Sequence, residues 1–499
     1  MESGIKSRIV EAVTLAIGLL LAVGWFSFLL RIDLADRLRG DAFNYLSIAA
    51  GFGGWGDALS FVGERSVGFP LVVFAMMKSY GGVSADGSVL SVLDFMAVVM
   101  FTIHVVAVLG SYFLLRNFAR NQGDGLEASP RVWLHAGFGA VLLAYPGLVG
   151  HTTVLLADSF YADLVLLGFA LSIGTRHVRP WLRGIASLAG GGLLGFAVLC
   201  RPVYEPAALA ALALGLTVSL AGGLGRRGAS HWQKVGYAAA FALGFAACVG
   251  PAEVHCASLF GNRCLTAPET HDAALLDSLQ RGMSSPRVYW SGNVAPDETD
   301  TTCGVGCRTL RDETLAMTWA AVCRPSPQAF GYGLPGCFLR RPDLGGLFLF
   351  KKTLALFDSY QFQDYAVDRT PRWARLWSRP FGAMSYAGFV GALVLLAASA
   401  RDSRRTELVA FLGFTVVLGL EHSITHIEGR YGYGVVPGAL FALFWLLGTA
   451  WRRPQIVWTA RLCAVFLSLL FLVQTAAWDR SDVVLQRIEA KLSLGSAAR

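Results

Sequence analysis

The sequence predicts an all-α polytopic membrane protein with about 11 transmembrane helices, outer interfacial helices and a Cys-rich outer, periplasmic subdomain. Three observations carry this reading. Apolar residues make up 54% of the 499 positions and charged residues only 15%, with a mean hydropathy of +0.52, far from a soluble domain of this length. Apolar segments recur that are long enough to cross a hydrocarbon core of roughly 30 Å at about 1.5 Å per residue. The Lys and Arg residues cluster in alternate connections between those segments, as the positive-inside rule requires.

In chain order, the predicted spans are 9–30, 89–115, 132–149, 154–174, 183–199, 205–222, 235–253, 381–400, 407–421, 433–451 and 457–476. The first has a basic flank, Lys6 and Arg8, like a signal peptide. Its apolar run is too long and lacks a small-x-small cleavage site, so it is expected to stay as an anchor. The connections carrying Arg116/Arg120/Arg131, Arg176/Arg179/Arg183, Arg226/Arg227/Lys234, Arg401/Arg404/Arg405 and Arg452/Arg453/Arg461 are placed inside, with the N-terminus. The connections 31–88, 150–153, 200–204, 254–380 and 422–432, and the tail 477–499, then lie outside.

The segment Leu347–Tyr360 is apolar but has Lys351-Lys352 at its middle, which would be costly in hydrocarbon. It is predicted to lie in the outer interface with its lysines reaching toward headgroups. The domain organisation is therefore an N-terminal membrane module over 1–253, an outer loop subdomain over 254–380, C-terminal helices over 381–476 and the tail 477–499. The formal charge of +8 resides in short loops, so the bilayer is the expected partner and nucleic acid is not.

Six of the nine cysteines, Cys256, Cys264, Cys303, Cys307, Cys323 and Cys337, fall in the large outer loop. An even cluster in an oxidising compartment predicts disulfides of undetermined connectivity. Zinc at Cys303 and Cys307 with His255 or His271 is disfavoured by the spacing. The remaining Cys200, Cys248 and Cys463 sit in or beside spans.

The outer side also collects the most suggestive charges: Asp41, Glu64-Arg65, Asp158, Arg201 and Glu428-Gly429-Arg430-Tyr431. Ionisable groups at the ends of membrane helices are costly unless paired or functional, so their common sidedness points to a site. Asp41 opens an amphipathic run in which Asp41 and Tyr45 share a helix face. Gly51-Phe52-Gly53-Gly54-Trp55-Gly56 matches GxGxxG formally, but no strand precedes it, and a turn is the better reading. Glu64-Arg65-Ser66-Val67-Gly68-Phe69-Pro70-Leu71 then leads into a second short apolar run, giving two interfacial helices between the first and second spans.

Asp41-x-x-x-Tyr45 after the first span and Arg65-x-x-Gly68-Phe69-Pro70-Leu71 before the second resemble the opening signatures of GT-C glycosyltransferases. These are multi-spanning enzymes that use polyprenyl-phosphate sugars, among them the protein O-mannosyltransferases and the aminoarabinose transferases. Leu199-Cys200-Arg201-Pro202 resembles their mid-chain Arg-Pro, and Glu428-Gly429-Arg430-Tyr431 with Pro437 resembles their Glu-x-Arg-Tyr box. Asp158-Ser159-Phe160 matches a position that is often acidic in the family. The resemblance covers roughly the first 210 residues and 380–450. Relatives often carry a second acid after the first-loop Asp, where this chain has Ala42, and the Cys-rich insert has no counterpart in the pattern.

The resemblance implies a catalytic module in 1–253, a polyprenyl-phosphate-linked sugar as donor, and a glycan, lipid or protein as acceptor at the outer face of the cytoplasmic membrane. It makes Asp41 the general base of an inverting transfer, since one carboxylate suffices to take the acceptor's proton opposite the departing phosphate. An Asp there also suits a helix N-cap. Arg201 and Arg430, with Arg65, Lys351 and Lys352, are the candidate phosphate partners. Arg201 alternatively snorkels at a helix end or is neutralised by Glu205, and Arg430 alternatively pairs with Glu428 or Asp158.

Tyr45, Glu64, Asp158, Glu205, His422, His426, Glu428 and Tyr431 are candidates for supporting or acceptor-binding roles. His422 and His426 would share a helix face, as metal ligands can, but no third ligand is placed and an acceptor-binding role is preferred. Divalent cations occur in some relatives, so Mg2+ or Mn2+ near Asp41 and Asp158 stays open, with no ligand set assigned.

Two other classes compete with a transferase. One is a flippase or transporter of a lipid-linked or polar solute, for which His104 and Asp94 in the second span speak. The other is a non-catalytic scaffold presenting the Cys-rich domain, which gives the outer charges no reason to share a face.

Overall fold

The structure is a computed structural model that describes residues 2–31, 41–61, 67–80, 89–120, 129–175, 178–201, 205–221, 231–260, 342–358, 372–399, 406–424, 429–448, 458–459 and 461–477. Among these the regular structure is helical throughout, without a strand. In chain order the helices are α1 (Glu2–Leu29), α2 (Asp41–Ala50), α3 (Trp55–Leu59), α4 (Gly68–Ser79), α5 (Val89–Arg120), α6 (Ser129–Leu143), α7 (Pro146–Thr153) and α8 (Ala157–Gly174). They continue as α9 (Pro180–Cys200), α10 (Glu205–Ala221), α11 (His231–Phe260), α12 (Pro342–Leu356), α13 (Arg372–Ser399) and α14 (Thr406–Ile424). A 3-10 helix (Gly429–Gly434), α15 (Val436–Gly448) and α16 (Arg461–Ala477) complete the order.

Seven of the described helices are long and apolar enough to cross a membrane: Ile5–Leu29, Val92–Phe118, Ala157–Gly174, Pro180–Cys200, Trp232–Leu259, Leu376–Ser399 and Thr406–Ser423. The predicted spans 205–222, 433–451 and 457–476 fall on shorter apolar helices, Pro206–Leu220, Gly432–Gly448 and Arg461–Ala477. The predicted span 132–149 is divided. Pro146 disfavours helical backbone in the residue before it, and Tyr145 is extended at φ −63°, ψ 111°, so α6 stops and α7 starts anew. Residues 150–153, expected as an outer loop, are instead the buried end of α7. The turn Val154–Leu156 follows, with Leu155 in the left-handed region at φ 53°.

Lipid tails are as apolar as leucine, so close packing between small residues must hold such helices together. The glycines show where this happens. A Cβ at Gly191 or Gly244 would strike the backbone of Phe241 or Leu188, which fixes α9 against α11. Gly168 and Gly190 face each other's carbonyls between α8 and α9, and Gly388 lies on Ala439 between α13 and α15. α8 is the central element, with 16 of its 18 residues buried. It touches α5, α7, α9, α14, α15 and the 3-10 helix.

Cys200, Cys248 and Cys463 are free thiols. Cys256 is buried near the end of α11. The other five cysteines, most of the subdomain 254–380, and the tail from residue 478 lie outside the described residues.

Candidate functional site

Several segments far apart in sequence meet at one end of this bundle. α2 begins at Asp41, and one turn later Tyr45 is buried with its ring edge against Phe69, at 4.9 Å between centroids and 78°. Phe69 belongs to α4, whose first residue, Gly68, rests on the backbone of Leu199 and Cys200 at the end of α9. Phe69 also leans on Phe160 of α8 at 6.1 Å. The Asp-x-x-x-Tyr, Gly-Phe-Pro, Asp-Ser-Phe and Cys-Arg segments are thus gathered by one phenylalanine and one missing side chain.

At this junction α8 presents Asp158 in its first turn, fully buried. Arg201 terminates α9 in extended backbone at φ −153°, ψ 90°, and its Nη1 approaches Asp158 Oδ1 at 2.9 Å. From α7, His151 Nδ1 lies 3.6 Å from Asp158 Oδ2. His422 of α14 is buried within electrostatic reach of both Arg201 and Asp158.

The 3-10 helix closes the cluster from another side. Tyr433 meets the His151 ring edge-on at 4.7 Å and 87°, and its phenol sits over Gly147. Gly434 faces the Tyr161 ring and Gly432 faces the Leu356 carbonyl, so the Gly-Arg-Tyr-Gly-Tyr-Gly run alternates bulk with gaps that admit α8 and α12. α12 is tied to α14 by a 3.0 Å hydrogen bond between the Thr353 and Ser423 hydroxyls. On the next residue back, Lys352 is 1% exposed, and burial pushes its ammonium down to about 7.

One carboxylate, one guanidinium and two imidazoles are therefore buried or nearly so at this end of the bundle. A buried ion pair of this kind is costly to desolvate and persists only where its geometry is well supported. The chemistry it offers is oriented cationic hydrogen bonding, suited to phosphate or carboxylate oxygens.

The structure brings together the predicted Asp158, Arg201 and His422, with Tyr45 joined to α8 through Phe69; Asp41 opens α2, and Lys352 is on α12, which is bonded to α14. Arg430 and Tyr431 lie in the 3-10 helix and Glu205 opens α10; Lys351 is half-buried. Glu64, Arg65, His426 and Glu428 lie outside the described residues.

The structure departs from the sequence reading at Lys352 and Glu205, and gives His255 a partner. Lys352 does not reach for headgroups, since α12 turns it into the protein. Glu205 is not a helical i, i+4 neighbour of Arg201, because α9 ends at Cys200 and α10 begins only at Glu205; Arg201 pairs with Asp158. His255, considered for zinc, donates through Nε2 to the Ser60 carbonyl at 3.2 Å, joining α11 to the end of α3. Among the described residues no group of three or more His, Cys, Asp or Glu side chains has a metal-holding arrangement.

His151 and Tyr433 were missed. No motif surrounds His151, and its approach to Asp158 depends on the turn at Val154–Leu156. Tyr433 had a signal, lying two residues beyond Tyr431 in an aromatic run interrupted by glycine. Of the transporter-like pair, Asp94 is exposed, while His104 Nδ1 donates to Asp163 at 2.8 Å inside the bundle. The opposite end of the bundle has polar contacts of its own: Glu11 with Tyr112 and Arg116, and Arg183 with Glu407.

The fold and cluster define an all-helical membrane protein with a buried polar site at one end. No protein-family model, curated protein or solved structure matches the chain.

Proposed function

We propose that the protein is a GT-C-type glycosyltransferase of the cytoplasmic membrane. It crosses the bilayer about 11 times and turns the Asp158 end of the bundle outward, beneath a disulfide-bonded outer subdomain. The observation that carries this reading is that four separate motifs are linked by contact: Tyr45 packs on Phe69, Phe69 on Phe160, Gly68 on the backbone of Leu199-Cys200 next to Arg201, and Arg201 pairs with Asp158.

In the proposed reaction the acceptor hydroxyl of a glycan, lipid or protein attacks the anomeric carbon of a polyprenyl-phosphate sugar. Asp41 takes the hydroxyl proton as the new glycosidic bond forms. The bond from the anomeric carbon to phosphate oxygen breaks on the opposite face, and the electron pair leaves with the phosphate. Arg201, oriented by Asp158, and Lys352 supply positive charge to that leaving group, together with Arg430. A divalent cation near Asp41 and Asp158 is compatible with this chemistry but is given no step.

Mass spectrometry of envelope glycans from cells lacking the protein tests the reading. A missing sugar, restored by the wild-type chain and not by Asp41→Asn at equal expression, is expected; an unchanged envelope would sink it. The second reading, a flippase or transporter, draws on the His104–Asp163 pair buried between α5 and α8. Proteoliposomes that translocate a labelled lipid-linked sugar without transferring it would favour that reading.

A further inference from the structure

At the end of the bundle opposite Asp158, a half-open cleft with a cavity volume of about 50 Å³ lies between α8, α9, α10, α11 and α14. Its polarity is graded along the helices. The deep wall is Phe169, Leu212 and Phe241, whereas Ser187, Ser219, Lys234 and Glu407 line it near the helix ends. Leu216 is both a wall of the cavity and 42% exposed, so the space opens sideways toward the surroundings of the bundle.

Two observations point to an occupant. Ser219 is 0% exposed and its hydroxyl has no hydrogen-bond partner among the described residues, a costly condition for a buried donor. The charges at the rim leave a positive excess: Glu407 is engaged by Arg183, whose guanidinium also stacks on Tyr237 at 4.1 Å, and Lys234 adds a further cation. A slot that is apolar in depth, hydroxylated near the rim and cationic at the mouth matches a membrane lipid in its natural orientation.

We propose that this cavity binds an anionic glycerophospholipid of the membrane. An acyl chain lies along Phe169, Leu212 and Phe241, an ester or phosphate oxygen accepts from Ser219, and the headgroup meets Lys234. The site stands at the far end of α8 and α14 from Asp158 and His422, and does not depend on the transferase reading.

The test is native mass spectrometry of the full-length protein in detergent, titrated with phosphatidylglycerol or phosphatidylcholine. Phosphatidylglycerol should bind about fivefold more tightly than phosphatidylcholine, and Lys234→Gln should abolish that preference. Ala238→Phe, which fills the wall from a half-buried position, should weaken both lipids, and Ser219→Ala should weaken both by a smaller factor. Equal binding of the two lipids by the wild-type protein, or unchanged binding in Lys234→Gln or Ala238→Phe, overturns the proposal.

Discussion

At the scale of single residues, the site depends on how few charges are buried and how closely they are matched. Asp158 is fully buried and Arg201 stands 2.9 Å from it, so removing either one takes an ion-pair partner from the other in a low dielectric. Arg201→Ala is expected to destabilise the protein by about 3–5 kcal/mol, and Asp158→Asn with Arg201→Gln by less than Arg201→Ala alone. Thermal melting in detergent checks both. Lys352 makes a prediction about pH. Its folded pKa is about 7 against an ordinary 10.5, so between these values the unfolded chain holds a proton that the folded chain has released. Stability therefore rises with pH from about 7 to about 10.5, and the full penalty of burying the charge stands below about 7. Under its proposed role as a phosphate partner, donor binding has the opposite sign, because Lys352 loses its charge above about 7. The KM for donor should climb across that limb, and Lys352→Arg, which stays charged, should flatten it.

At the scale of elements, the site is assembled by helix ends. Gly68 lets α4 lie on the backbone of Leu199 and Cys200, immediately before Arg201. Gly68→Val would push the two helices apart and shift both Phe69 and Arg201. Overpacking of this kind costs about 1–3 kcal/mol, whereas a displacement of about 1 Å at a reacting centre can cost about 10²-fold in rate. Transfer should therefore fall far more than melting temperature, and kinetics beside a melting curve would show it.

The same elements show what could be read in advance. α2 and α4 were legible as short amphipathic helices because their apolar faces are local features. The break at Tyr145-Pro146 was also local, but the surrounding run is apolar enough to read as one span. The inward turn of Lys352 was not legible, since hydropathy alone cannot distinguish lipid from protein as the neighbour of an apolar helix. His151 was out of reach, because a turn with Leu155 at φ 53° brings it back toward Asp158.

At the scale of the whole molecule, the polar groups divide between two ends. Asp158, Arg201, His151 and His422 occupy one, and Glu11, Arg116, Arg183 and Glu407 the other, with the His104–Asp163 pair between them. Trp55 of α3 and Trp232 of α11 are both exposed and belong to opposite ends. Under the proposed orientation, a membrane-impermeant maleimide should label Trp55→Cys in intact cells and Trp232→Cys only after permeabilisation. The reverse pattern would invert the topology and place the site inside.

Under the proposed function, the cluster at the Asp158 end transfers sugar from a polyprenyl phosphate, with Asp41 as base. The most direct test is transfer of radiolabelled sugar from polyprenyl-phosphate donors to envelope acceptors by the purified protein in proteoliposomes, comparing wild type with Asp41→Asn. Transfer by the wild type is expected, with a loss of at least about 10²-fold in the variant while donor binding is retained. Equal transfer by both proteins would contradict it.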